Sequence, residues 1–168
     1  ETGLLPHAGS VDDRNRHAST VMLSLSGGPA AQPRCSGVLI GPRLVLTAGS
    51  CVCERRKPAS SSGPEAALID GAACAQHVFV TTVTHGTEWN SLLQKPKETR
   101  FRIYRGEVHP HPDLQVILGE KDAVIESRAD LGAIHLEEAV EEGLRISSAS
   151  GTEARAGEPL ITAGFAHA

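Results

Sequence analysis

The chain has 168 residues, enough for one ordinary domain with its own core. Hydrophobic residues make up 40% and aromatics 3%, so the interior must be aliphatic, and 17 glycines and 10 prolines suit a β protein with many turns. A net charge of −4 argues against nucleic acid or heparin-like partners, and no apolar run approaches the roughly 18–20 residues of a membrane helix or has the form of a signal h-region.

Glu1-Thr2-Gly3 reads as a remnant of a secretory expression vector and is set aside from fold reasoning. Leu4 to His17 is polar and turn-like. Thr20-Val-Met-Leu-Ser-Leu25 reads as a strand and Ser26 to Pro33 as a loop. Val38-Leu-Ile40 and Leu44-Val-Leu46 are two short apolar runs broken by Gly41-Pro42, which is a hairpin with a cysteine at each end, Cys35 and Cys51. Glu54 to Gly63 is hydrophilic and aperiodic, an exposed loop whose Arg55-Arg-Lys57 reads first as a solvated tip and second as a protease-sensitive or anion-binding spot. Glu65 to Cys74 reads equally as a helical turn or a short strand.

His77 to Thr84 is a strand by its β-branched content, turned at His85-Gly86. Trp89 to Glu98 is loop-like. Phe101 to Val108 alternates apolar and polar residues, as a half-buried strand does. His109-Pro-His-Pro112 is a loop, and Leu114 to Ile125 is a loop region with one apolar run, Val116-Ile-Leu118. Arg128-Ala-Asp-Leu-Gly-Ala-Ile-His-Leu136 places an aspartate, Asp130, in a turn before a strand.

Four cysteines allow three connectivities, and free thiols in a reducing compartment are the alternative to any of them. No metal site is read. Cys51-Val-Cys53 has the wrong spacing for a zinc knuckle. His109 and His111 lack a third ligand. The acidic run Glu137 to Glu142 fits no calcium loop and reads as a solvated face. No cofactor is implied.

The stretch Cys35-Ser-Gly-Val-Leu-Ile-Gly-Pro-Arg-Leu-Val-Leu-Thr-Ala-Gly-Ser-Cys51 resembles the trypsin-like (chymotrypsin-fold) serine protease family, whose pattern C-x-G-x-L-I-x-x-x-x-V-L-T-A-A/G-H-C carries the catalytic histidine. Every position agrees except one: Ser50 stands where the family has histidine. Asp130-Leu-Gly-Ala-Ile-His-Leu136 resembles the D-x-G-A-I-x-L motif of bacterial members, so the resemblance maps Asp130 onto the triad aspartate. Gly9 to Arg14 resembles the mature start of bacterial glutamyl-endopeptidase-like relatives. That makes residues 4–19 an N-terminal leader or activation segment, a surface segment without order being the other reading.

The resemblance implies an all-β fold, a chymotrypsin-like double β-barrel. Residues 20–142 would supply its first six-stranded barrel, 143–157 the connector, and 158–168 the first strand of the second barrel. It implies disulfides Cys35–Cys51 and Cys53–Cys74 and a secreted protein. It also implies a nucleophilic serine that this chain lacks, expected on a companion C-terminal chain left by cleavage near Ala168, and a protein or peptide substrate. A serine nucleophile needs a base near operating pH, which a hydroxyl at position 50 is not. The chain is therefore expected to be inactive. It is either a serine endopeptidase altered at its base position or a natural pseudoprotease serving as a binding or regulatory module.

Overall fold

The computed structural model describes residues 10–27, 35–57, 67–86, 88–90, 92, 95–96, 98–144, 146–148, 151, 155–159 and 161–165. The expectations for residues 1–3 and for Ala168 lie outside them. In chain order the strands are β1 (Thr20–Ser24), β2 (Cys35–Gly41), β3 (Leu44–Thr47), β4 (Ala67–Asp70), β5 (His77–His85), β6 (Trp89–Asn90), β7 (Lys95–Pro96), β8 (Thr99–Pro110), β9 (Gln115–Leu118), β10 (Val124–Arg128) and β11 (Gly132–Leu136).

Six of these strands close a barrel in the order β1-β2-β3-β11-β8-β5, and every ladder in it is antiparallel. The fold is all-β and chymotrypsin-like, with the first barrel complete. Its filling is aliphatic, as the scarcity of aromatics requires: Val21, Leu23, Leu39, Val45, Val78, Val80, Ile134 and Leu136 are buried. Gly106 on β8 faces this interior, where a Cβ would overlap Ile134 and lie 3.1 Å from Leu136 Cδ2. Beside the barrel lies a three-stranded antiparallel sheet in the order β10-β9-β4.

The β2–β3 hairpin forms as its two apolar runs predict, pairing Val38 with Leu46 and Leu39 with Val45. A register shift between Leu39 and Gly41 gives β2 one extra residue, Ile40. The undecided segment before Cys74 is both candidates in turn. Ala67–Asp70 pairs with β9, and Gly71–Ala73 then makes a 3₁₀ turn whose first free N–H, on Ala72, donates to the Asp70 carboxylate.

Several loop expectations are corrected. Within Trp89–Glu98, β6 and β7 pair as a small ribbon. His109 and Pro110 belong to β8, opposite Ala133 and Gly132, because β11 offers a ladder that runs to the end of the strand. Leu114–Ile125 is largely β9 and the start of β10, joined by a tight turn in which Lys121 and Asp122 both have positive φ. A two-residue turn of that form matches the strand twist, and long-range pairing of Gln115–Leu118 with β4 secures the hairpin.

The alternation over Phe101–Val108 is a strand, but only half of it is half-buried. Tyr104, Gly106 and Val108 face the core, whereas Phe101 is 63% and Ile103 45% exposed. The pairing register with β5 puts Tyr104 opposite Val80 on the inner face and Phe101 opposite Val83 on the outer one. Alternation defines two faces without saying which is inside.

The described residues of the N-terminal segment are folded, against the reading without order. Asp12 accepts from the backbone N–H groups of Arg16 and His17. Asn15 donates to the His85 carbonyl and accepts from the His85 N–H, clamping the end of β5. The acidic run is likewise tied down. Glu137 pairs with Arg105 at 3.1 Å, Glu141 with Arg102, and Arg43 donates to the Glu137 carbonyl. In the connector, Ser147 donates its N–H to the Leu39 carbonyl and its hydroxyl lies 2.6 Å from that of Ser19. Residues 158–159 and 161–165 join no ladder among the described residues, because no neighbouring strand there offers one. Phe165 N–H donates to Ser36 Oγ.

Candidate active site

Position 50 is set by the barrel. β3 ends at Thr47, and Gly49–Cys51 makes one 3₁₀ turn directly after it. The turn packs tightly: a Cβ on Gly49 would sit 2.7 Å from Leu114 Cδ2 and 3.2 Å from the Leu131 carbonyl oxygen, so any side chain there would have to displace the Leu114 side chain. Cys51 is bonded to Cys35 at the start of β2, with the Cα atoms 5.8 Å apart. Cys53 is bonded to Cys74, and the flanking backbone bonds Glu54 N–H to Ala73 O and Ala75 N–H to Val52 O make the two cysteines face each other across a short bridge. The Ser50 backbone is therefore held from three sides.

Asp130 arrives from the passage between β10 and β11. Ala129, just before it, has φ 47°, in the left-handed region, and Leu131 N–H closes a three-residue turn onto the Ala129 carbonyl at 2.6 Å. This turn aims the Asp130 carboxylate at the 3₁₀ turn. Ser50 N–H donates to Asp130 Oδ1 at 2.7 Å, and Ser50 Oγ–H donates to Asp130 Oδ2 at 2.9 Å. The two residues are 80 positions apart in sequence and in direct two-point contact.

Beside them opens a cleft of ≈ 360 Å³ that runs between the barrel and the three-stranded sheet. Val116, Leu118 and Val124 give it apolar walls and Ser127 a hydroxyl. At one end Arg55 donates to the Asp122 carboxylate. Neither Arg55 nor Asp122 stood out from the sequence as a wall of this site. Arg55 sits in a polar loop and Asp122 in a turn, and only the β9–β10 hairpin brings them together. A neighbouring pair, Arg56 and Asp70, fixes the edge of β4, and the guanidinium hydrogen bond holds the Asp70 carboxyl below its ordinary pKa.

The arrangement has clear chemical limits. A hydroxyl that donates to a carboxylate orders that carboxylate, but it takes up no proton near neutral pH and cannot act as a general base. His109 and His111 stay apart from the site. His109 Nε2 lies 3.9 Å from Glu107, and His111 Nδ1 accepts from the Asp113 N–H. Among the described residues no group of three or more His, Cys, Asp and Glu side chains could hold a metal ion.

Compared with known proteins, residues 8–167 match the family model for trypsin. The chain belongs to the trypsin family. Its closed barrel, its two disulfides and the meeting of Ser50 with Asp130 are thus features of a trypsin-family chain. No curated protein matches it. Among solved structures it is similar to kallikrein-related peptidase 10, at 15% identity and a TM-score of 0.40, over 80% of this chain and 43% of that one. The chain thus spans less than half the length of that structure. No helix among its described residues is long and apolar enough to cross a membrane.

Proposed function

We propose that this chain is the first-barrel part of a secreted trypsin-like serine endopeptidase domain in which Ser50 occupies the position of the triad histidine and Asp130 that of the triad aspartate. The observation that carries this is the two-point contact of Ser50 with Asp130, 80 residues apart, at the mouth of a cleft and within a trypsin-family barrel. In such a domain the aspartate orients the base and stabilises its cation, the base activates a serine, and an acyl-enzyme forms and is hydrolysed. Ser50 supplies the hydrogen bond to the aspartate and omits the base. Peptide-bond hydrolysis then stops at its first proton transfer. Two disulfides suit the oxidising route of a secreted protein.

A second reading is that of a natural pseudoprotease acting as a binding or regulatory module. It is favoured by how completely the serine hydroxyl is used: its proton goes to Asp130, so the pair is self-contained without an imidazole.

Restoring the base separates the two. Ser50→His in the protein assembled with its companion chain should produce peptidase activity on an unstructured protein such as casein, and the same preparation should give two polypeptides in denaturing mass analysis. A folded, two-chain Ser50→His protein without activity would overturn the endopeptidase reading and leave the binding module.

A further inference from the structure

We propose that the outer edge of β8 over Thr99–Ile103 docks an extended segment of a partner protein, added as a further strand, in which apolar and acidic residues alternate. The site uses none of the residues around Ser50 and Asp130, so it holds for an inactive endopeptidase and for a binding module alike.

Backbone pairing leaves this edge open, because β8 overshoots the barrel. The β5–β8 ladder is phased at both ends: Val108 N–H donates to Gln76 O, and Gly86 N–H donates to Glu98 O. Even-numbered residues of β8 therefore bond to β5, and odd-numbered ones turn their N–H and C=O groups to the opposite edge. Arg105 follows this rule, its carbonyl accepting from Glu137 N–H just past the end of β11. β11 itself reaches only to Leu136, opposite Gly106. Among the described residues, the N–H and C=O groups of Thr99, Phe101 and Ile103 thus have no ladder partner. On the far side of the ribbon β1 pairs with β5 no further than Thr81, and Asn15 clamps the end of β5 at His85. All five residues from Thr99 to Ile103 are exposed, with Phe101 and Ile103 on one face and Arg100 and Arg102 on the other. A two-stranded ribbon carrying apolar side chains in water is marginal, and a third strand along its open edge would cover them.

Charge selects the occupant. Arg100 holds Glu98 at 2.9 Å and Arg102 holds Glu141, and both pairs lie in solvent. Such pairs are weak, and each guanidinium keeps N–H donors for a second carboxylate. An incoming strand sets one side chain opposite each of Phe101 and Ile103 and one opposite each of Arg100 and Arg102. Apolar residues facing the first two and carboxylates facing the others satisfy both faces, while the main chain completes the ladder. A second copy of this chain fits worse. Antiparallel registers centred on residue 100, 101 or 102 each set arginine opposite arginine, and like charges directly opposite are destabilising.

The probe is the peptide fluorescein-Gly-Thr-Val-Glu-Val-Glu-Val-Thr-amide, titrated with the full chain and read by fluorescence anisotropy. Saturable binding is expected, with a Kd on the order of 100 μM. Lysine in place of both glutamates of the peptide should weaken it about tenfold or more. N-methylation of the central valine removes an N–H that donates to β8 and should also cost about tenfold or more. N-methylation of a glutamate, whose N–H faces away, should change affinity by no more than about twofold. In the protein, Ile103→Pro removes an N–H that serves no ladder, so the chain should fold and lose about tenfold in affinity. If this variant does not fold, the methylated peptides decide. No saturable binding, equal effects of the two methylations, or a folded Ile103→Pro protein of unchanged affinity would overturn the site. A dimer in sedimentation that Phe101→Lys dissolves would overturn it too, by giving the edge to a second copy.

Discussion

The barrel and the three-stranded sheet beside it use the same kinds of residue, yet they differ in what they leave open. The barrel has no edge, since β1 pairs with β5 and closes it, and Val21, Leu39, Val45, Val80, Ile134 and Leu136 are wholly shielded inside. The sheet covers one face only. Ile69, Val116 and Leu118 are buried, while all five positions of β10 are exposed, Val124 and Ile125 among them. Closure gives every barrel strand two neighbours, whereas β10 has one. Ser50 follows barrel strand β3 and Asp130 lies in the passage from β10 to barrel strand β11, so the candidate site lies at the joint of the barrel and the sheet.

The strongest way to break this comparison is to truncate one aliphatic side chain on each side. Ile134→Ala inside the barrel should lower stability by about 2–5 kcal/mol in urea unfolding, against about 0.5 kcal/mol or less for Val124→Ala on β10. Similar losses at the two positions would show that β10 is as integral as the barrel. Removing the Cys53–Cys74 bridge by double alanine substitution should cost about 3 kcal/mol, the cross-link closing a separation of 21 residues. Amide hydrogen exchange should then speed up in β4, β9 and β10 before β3 and β11, and uniform acceleration would contradict the joint.

Smaller effects sharpen the picture at the joint itself. Ser50→Ala leaves Asp130 Oδ2 without its donor and should cost about 1 kcal/mol. Ala129→Gly should act in the opposite sense, raising stability by about 0.5–1 kcal/mol, because glycine adopts the positive φ found there without the Cβ penalty. A fall in thermal midpoint for Ala129→Gly would mean that the turn before Asp130 is not strained.

The smallest expected effect is a pH dependence. At Asp12, partial burial raises the carboxyl pKa, but hydrogen bonds from the His17 and Arg16 backbone N–H groups outweigh it, leaving the value below the ordinary 3.8. A depressed folded pKa means that this contribution is present above pH 3.8 and lost as pH falls through the lower folded value. Asp12→Asn should lower stability above pH 3.8 and leave it little changed at the acid end, flattening that part of the acid unfolding curve. An unaltered acid limb would count against the turn at residues 12–17 as a source of acid sensitivity.

Much of the barrel was legible from local pattern. β1, β5 and the β2–β3 hairpin announce themselves by apolar, β-branched runs punctuated by Gly41-Pro42 and His85-Gly86. The strands that were missed are those whose pairing is long-range or whose flanks resemble turns. β9 is a short apolar run inside a polar segment, β10 carries Glu126 and Arg128, and the end of β8 holds His109-Pro110. Proline has no N–H to give a ladder, so the loop reading of His109–Pro112 followed a signal that the pairing of Pro110 with Gly132 overrode.

The candidate site divides the same way. The sequence alone determined the residue types and their order: cysteines bracketing a hairpin, Ser50 before Cys51, and Asp130 ahead of an apolar strand. These are local properties, carried by neighbours along the chain. Tertiary structure alone decided that Ser50 meets Asp130 with both its N–H and its hydroxyl, that Phe101 lies outside while Tyr104 lies inside, and that Arg55 and Asp122 bound a common cleft. Each of these depends on strand register and barrel closure. Register sums pairings over the whole sheet, so no single stretch of the chain contains it.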